Sequence, residues 1–221
     1  MKKIGAITIG QAPRTDISED IGDILGSDIE LIQAGALDGL TIEEVKRLNP
    51  DGTGTTLVSR MRDGTAVTLQ EQKILPLMQQ RIDDLESQGV GAILILCTGE
   101  FPETFLSKVP LIYPSKVICG IVAALNNVSR IGVVTPDQDQ IEDIKKKWGK
   151  IVETVIPVQW NPYLKKKSEQ AASQLRDANV DLAVMDCFGY SSGMREFLAE
   201  RISKPVILSR TIAARILREI A

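Results

Sequence analysis

The 221-residue chain contains no histidine. That absence removes Ser-His-Asp triads, Cys-His dyads, histidine-ligated zinc and histidine general bases together. Proton transfer is left to carboxylates, lysine, tyrosine or cysteine. Cysteine is itself scarce. Cys97, Cys119 and Cys187 are an odd number without CxxC spacing, which builds neither a disulfide framework nor a four-cysteine zinc site, so no metal ligands are expected. Such thiols suit a reducing compartment, and the expected location is the cytoplasm. No apolar run approaches the ~20 residues of a membrane-spanning helix. Met1 to Gly10 imitates a signal peptide only superficially, because its short apolar stretch runs into Gln11, Arg14 and Asp16. Neither sign of charge dominates: 26 basic against 29 acidic residues leave a net charge of -3, no field to recruit nucleic acid or an anionic membrane. The expected partner is a small molecule, with a homodimer as a further expectation.

The sequence does hold enough apolar residues, 43%, to bury one large domain or two small ones. Short β-branched apolar runs recur, each followed by turn or cap residues and then by helical periodicity, the pattern of parallel βαβ units. Ile4 to Gly10, Ala92 to Cys97, Arg130 to Thr135 and Leu182 to Cys187 read as strands, with further strands at Ile29 to Ala34, Val152 to Val158 and Pro205 to Leu208. Helices are expected over Gln72 to Ser87, where Pro76 is tolerable only near the first turn, and over Asp137 to Trp148. Leu57 to Leu69 interrupts the alternation. It reads as a β-hairpin around Asp63-Gly64, with Arg60 and Arg62 sharing one face and Leu57 and Met61 the other.

Two halves are visible. Each has a first strand ending in a threonine-containing loop (Thr8 to Gln11; Thr135 to Gln138) and a later strand ending in a cysteine, Cys97 and Cys187, about 90 residues apart. The carboxyl ends of parallel strands border ligand sites in α/β folds. A thiolate at one such end can take a proton from a carbon acid and a thiol at the other can return one. Against this stands the ordinary behaviour of cysteine as a small buried hydrophobe, and Cys119, inside an apolar helical run, is read that way. Arg14 presents a fork that matches a carboxylate, or else pairs with Asp16 or Glu19, Asp16 being the expected N-cap of the first helix. Thr8, Thr98 and Thr135 offer hydroxyls to a ligand or cap helices. Ser191 or Ser192 is expected to cap the helix carrying Met194, Phe197, Leu198 and Ile202, whose N-terminal amides would favour a carboxylate. Asp51-Gly-Thr-Gly-Thr55 lacks a GK[ST] ending and reads as a turn, and Lys145 to Lys147 and Lys165 to Lys167 read as solvated faces.

TIGQAPRTD after the first strand, SRMRDGT in the hairpin, CTGEF and MDCFGYS together resemble the AroM family along the whole chain. That family is similar, more distantly, to the Asp/Glu/hydantoin racemase superfamily of cofactor-independent amino-acid racemases, maleate isomerase and arylmalonate decarboxylase. The resemblance implies two pseudo-symmetric Rossmann-like lobes with parallel sheets and a cleft between them. These would be residues 1–113, with 209–221 packing back on them, and residues 114–208. It implies no cofactor and catalytic Cys97 and Cys187; from their places at the strand ends and the loops that follow, Thr8, Gln11, Arg14, Thr98, Gly99, Thr135, Gly189 and Tyr190 are expected around a small-carboxylate ligand. The chain departs from the racemases in reading Cys97-Thr98-Gly99 for Cys-Asn-Thr and Cys187-Phe188-Gly189 for Cys-Thr-His, and in carrying Gln11 and Arg14 where they place an acidic residue. These changes weaken the case for an α-ammonium substrate and leave a carboxylate one intact. Two readings follow: a cofactor-independent racemase, isomerase or lyase, or a non-catalytic carboxylate-binding or regulatory protein tied to aromatic amino-acid metabolism.

Overall fold

The structure is a computed structural model that describes residues 1–101, 105–164 and 168–221, so the Lys165 to Lys167 run lies outside the described residues. In chain order the elements are β1 (Lys2–Thr8), α1 (Thr15–Leu25), β2 (Ile29–Gly35), α2 (Ile42–Lys46), β3 (Thr56–Arg60), β4 (Ala66–Gln70), α3 (Glu71–Ser87), β5 (Ile93–Ile95), β6 (Leu111–Ile112) and α4 (Pro114–Ala123). There follow β7 (Arg130–Thr135), a 3₁₀ turn over Gln138–Gln140, α5 (Ile141–Trp148), β8 (Thr154–Gln159), α6 (Glu169–Asp177), β9 (Leu182–Met185), α7 (Ser192–Ile202), β10 (Val206–Leu208) and α8 (Ser209–Ile220). Among the described residues no helix is long and apolar enough to cross a membrane.

The chain divides into two compact units, Met1–Pro114 with Ala213–Ala221, and Ser115–Ile212. The first holds a four-stranded parallel sheet ordered β2-β1-β5-β6. The second holds a parallel sheet ordered β8-β7-β9-β10. Counted among the strands of its own sheet, each sheet runs second, first, third, fourth, so both parallel sheets share one α/β topology.

In the second unit, period-two alternation sorts the strand residues into two cores. Val134, Val158, Ala183 and Met185 pack with Leu175 of α6 and Phe197 and Leu198 of α7. Ile131, Val133, Leu182 and Val184 pack with Ile118 and Val122 of α4 and Ile144 and Trp148 of α5. Helices therefore cover both faces, as a parallel sheet requires. In the first unit Ile7, Ile93 and Ile95 face Ile74, Met78, Ile82 and Leu85 of α3, while Ile4, Ala6, Ala92 and Leu94, equally buried, alternate to the opposite face. The far end of α8 is tied to this unit by an Arg218–Asp28 ion pair at 2.8 Å and by Lys2 Nζ donating to the Ala221 carbonyl at 2.7 Å.

Several details correct the sequence expectations. Pro76 lies inside α3, beyond its first turn, and the helix continues through it. Asp16 does not cap α1: Arg14 occupies the N-cap position, and Asp16 sits in the first turn with its carboxylate on the Arg14 guanidinium. Asp137 caps the 3₁₀ turn rather than opening an α-helix. β6 was not foreseen. The hairpin is present as an antiparallel β3–β4 pair, with Leu57 and Met61 buried and Arg60 and Arg62 exposed to differing degrees. Its turn is closed by Met61 N donating to the Thr65 carbonyl at 2.8 Å, and Gly64 takes the φ of +91° that the turn demands.

The hairpin backbone presses on the loop after β1. A Cβ on Gly10 would stand 2.4 Å from the Arg60 carbonyl oxygen and 2.5 Å from Ser59 Oγ. Gly120, exposed within α4, would meet nothing within 4 Å. The same substitution should therefore act with opposite sign at the two positions. Gly10→Ala is expected to lower stability by about 1–3 kcal/mol through overpacking, and Gly120→Ala to raise it by up to about 1 kcal/mol through helix propensity. Chemical denaturation of both variants reads the difference.

Candidate active site

Cys97 and Cys187 occupy matching places in their own units. Each lies two residues beyond the end of the third strand, β5 or β9. In both, five buried residues precede a half-buried cysteine, which is followed by a buried residue and a half-buried glycine. The ladder to the neighbouring first strand continues in the same way, with Leu96 N donating to Ile7 O at 2.7 Å and Asp186 N to Val134 O at 3.0 Å. The glycine amide then turns back on the sulfur: Gly99 N lies 3.4 Å from Cys97 Sγ, and Gly189 N lies 3.3 Å from Cys187 Sγ. An N–H aimed at sulfur favours the thiolate over the thiol. Within each unit the last residue of the first strand, Thr8 or Thr135, is buried beside this loop. Neither threonine caps a helix. Thr8 Oγ1 accepts from Gly10 N at 3.2 Å, and Thr135 Oγ1 donates to Gln140 Oε1 at 2.8 Å. Cys119 packs among the α4 and α5 core residues, as expected for a structural thiol. Among the described residues no three cysteine, aspartate or glutamate side chains gather as metal ligands.

The other residues expected around a ligand in the first unit are engaged in holding loops. Gln11 donates Nε2 to the carbonyls of Leu37 and Leu40 at 3.2 and 3.3 Å and accepts Arg62 N on Oε1 at 3.0 Å. Arg14 is 3% exposed, and its fork closes on Asp16 at 2.9 and 2.8 Å, the paired reading of this residue. Arg62 Nε donates to the Ala12 carbonyl at 2.6 Å, and Asp38 accepts the amides of Ala12 and Gly35 at 2.9 and 2.7 Å. Thr98 is buried, and Gly99 is packed against Leu57 and Phe101 so closely that a Cβ would stand 3.1 Å from Leu57 Cδ2.

In the second unit Tyr190, expected to touch a ligand, is wholly buried, and its hydroxyl donates to the Trp160 carbonyl at 2.7 Å. Burial first, and then the nearby Cys187 and Asp186, push its hydroxyl well above the usual phenol range, so it stays a donor. Gly189 is required sterically, since a Cβ would lie 2.5 Å from Pro162 Cγ and 3.0 Å from the Tyr163 ring. Ser191, the expected cap, accepts Met194 N at 3.3 Å.

Sequence reasoning missed the polar cluster behind Cys187. Lys145 and Lys146 pair on the surface with Glu142 and Asp143, but Lys147 turns inward. Its ammonium meets both carboxylate oxygens of Asp186 at 3.2 and 2.9 Å, with side-chain exposures of 5% and 1%, and the Trp148 indole N–H donates to the same carboxylate at 2.8 Å. Spacing held the signal: Lys147 is three residues after Ile144, on the buried stripe of α5. Because consecutive side chains alternate, Asp186 faces α5 while Cys187 packs with the α6 and α7 core. Removing one partner of a buried ion pair leaves a charge without compensation. Lys147→Met is expected to cost about 3–5 kcal/mol, and the double variant Lys147→Met/Asp186→Leu to recover a large part of that loss, as read by urea denaturation.

Residues 4–221 match the AroM protein family. No curated protein matches the sequence. Among solved structures the fold is similar to allantoin racemase from Klebsiella pneumoniae, with a TM-score of 0.62 at 15% identity over 100% of this chain and 87% of that one. It is similar to aspartate racemase from Picrophilus torridus, with a TM-score of 0.63 at 11% identity over 100% and 94%. It is also similar to unliganded arylmalonate decarboxylase, with a TM-score of 0.61 at 14% identity over 100% and 92%. At these identities the likeness establishes the fold alone, an α/β fold shared with these racemases and the decarboxylase. The match over nearly the whole sequence establishes the family: this chain belongs to the AroM family.

Proposed function

We propose that the chain is a cofactor-independent racemase, isomerase or lyase for a small carboxylate, with Cys97 and Cys187 as its acid–base pair. The observation that carries this reading is the duplicated cysteine loop. In two units of one sheet topology, a half-buried thiol stands two residues beyond the third strand of the sheet, and its sulfur accepts the amide two residues on. A lone buried cysteine gives no reason for that duplication. The racemases and the decarboxylase that share the fold lend support at the level of reaction class.

In the proposed reaction one cysteine, as thiolate, takes the proton from the carbon α to the carboxylate and becomes a thiol. The electron pair left on carbon delocalises into the carboxylate, and the other cysteine donates its S–H proton to the opposite face, becoming the thiolate. In the lyase variant the carbon–carboxylate bond breaks instead, carbon dioxide leaves, the same thiol protonates the carbanion, and solvent water returns a proton to the thiolate that results. Each variant balances without an oxidant, reductant or added group. A mechanism run on two thiols belongs in a reducing compartment, which places it in the cytoplasm.

The second reading is a carboxylate-binding or regulatory protein without turnover. One observation favours it: the side chains of Gln11 and Arg14, at the place where the racemases carry an acidic residue, are committed to holding their own loops. Solvent deuterium uptake separates the two. Across a panel of small dicarboxylates and amino acids in D₂O, the proposal expects label at the α-carbon of at least one substrate, monitored by proton NMR. Loss of exchange by about 100-fold or more is expected in both Cys97→Ser and Cys187→Ser, the scale on which general acid–base groups contribute. Exchange that survives both substitutions would overturn the assignment, and ligand-dependent thermal stabilisation without exchange would favour the binding reading.

A further inference from the structure

Arg210, in the first turn of α8, is 1% exposed, and its guanidinium spans one acceptor. Both Nε, at 2.9 Å, and Nη2 donate to the carbonyl oxygen of Phe188. That oxygen is one end of the peptide unit joining Phe188 to Gly189. Its other end is the Gly189 N–H, which points at Cys187 Sγ from 3.3 Å. A single conjugated amide therefore stands between a buried guanidinium and the sulfur.

We propose that Arg210 is a positioning residue that sets the thiolate character of Cys187 through the Phe188–Gly189 peptide. The proposal rests on the reading of Cys187 as a proton-transfer group, and its test is made on the thiol itself. Two physical effects carry it. A charge-assisted hydrogen bond at the carbonyl draws electron density toward oxygen and makes the N–H at the other end a stronger donor, as in any hydrogen-bonded chain at low dielectric. The fork also fixes the plane of the peptide, so the N–H cannot rotate away from the sulfur when the thiol loses its proton.

The surroundings hold this peptide in place. Ser209, next to Arg210, donates Oγ to the Met185 carbonyl at 2.5 Å, so two successive residues of α8 grip the chain on either side of Asp186–Cys187. Phe188 is buried, and Pro162 and Tyr163 close over Gly189. Tyr190 N donates back to the Cys187 carbonyl at 3.4 Å. Among the described residues, charged and titratable groups that face the loop include Arg210 from α8, the Asp186 carboxylate with Lys147 of α5 on the opposite face, and the hydroxyls of Tyr190 and Tyr163. The Arg210 contact leads through a peptide to the sulfur.

The experiment is the pH dependence of iodoacetamide alkylation, resolved by mass spectrometry for Cys187 and Cys97, in the wild type, Arg210→Gln and Arg210→Lys. The midpoint at Cys187 should rise by about one pH unit in Arg210→Gln, about tenfold less thiolate at a fixed pH below the midpoint. Arg210→Lys, which keeps the charge but loses the fork, should fall between. Cys97 should keep its wild-type profile. A Cys187 midpoint unchanged in a folded Arg210→Gln, with folding checked by circular dichroism, overturns the proposal. Should that variant fail to fold, NMR on the wild type decides. The Gly189 amide proton is expected to shift with the same midpoint as Cys187 alkylation, and a Gly189 amide indifferent to that ionisation overturns the proposal. A shifted profile without deuterium exchange would leave the relay standing while the acid–base reading fails, and cysteine-dependent exchange with an unmoved profile would do the reverse.

Discussion

Asp186 sits at the carboxyl end of a doubly covered strand with 1% of its side chain exposed. A carboxylate costs several kcal/mol to bury unless a cation and hydrogen-bond donors meet it. Lys147 and Trp148, adjacent on α5, supply both. The pair pins β9 to α5 at the point where the strand stops, and alternation then dictates that the next side chain, Cys187, leaves on the other face. Beyond it Phe188 is buried, a Cβ on Gly189 would meet Pro162 and Tyr163, and Tyr190 hydrogen-bonds to the Trp160 carbonyl. An ion pair of this kind adds little net stability compared with a hydrophobic replacement. What it contributes is a fixed chain direction one residue before a thiol.

The first unit reaches the same cysteine geometry with a different backing. Its loops are braced by the hairpin: Arg62 meets the Ala12 carbonyl and the Gln11 side chain, Gln11 N donates to the Arg60 carbonyl at 3.3 Å, and Gly10 admits the hairpin backbone at a distance no side chain would allow. In both units the cysteine ends in one arrangement, a half-buried sulfur beneath the amide two residues on, and in the first unit the hairpin reaches that loop where Leu57 packs against Gly99. That repetition is the observation on which the proposed acid–base role of the two cysteines rests.

What could be read from the sequence was whatever depended on a single strand or helix. Ala92 to Cys97 and Leu182 to Cys187 announce themselves as strands because parallel strands buried on both faces are apolar throughout, and Asp63-Gly64 announces a hairpin because that turn needs a positive φ. The two-residue β6, between Pro110 and Pro114, has no period to detect. Polar side chains whose partners are distant in sequence were the least legible. Arg14 is a separate case, since its partner Asp16 is only two residues away and the folded loop alone shows which of its two readings holds. Lys147 looked like part of a solvated run, although it falls on the buried stripe of its helix, and its partner is 39 residues away. Arg210 was hidden because β10 passes into α8 without a loop, so that the first turn of a helix lies at the carboxyl edge of the sheet.

The central claim is that two thiols, one from each unit, serve one carbon. The most direct measurement is bridging by dibromoacetone, a short reagent with two thiol-reactive carbons, at one equivalent per chain, followed by mass spectrometry of the digested protein. The account predicts a single product in which Cys97 and Cys187 are joined through the three-carbon reagent, formed faster than any adduct at Cys119 and suppressed in Cys97→Ser and Cys187→Ser. Separate one-ended adducts on Cys97 and Cys187, with no bridged peptide, would contradict it.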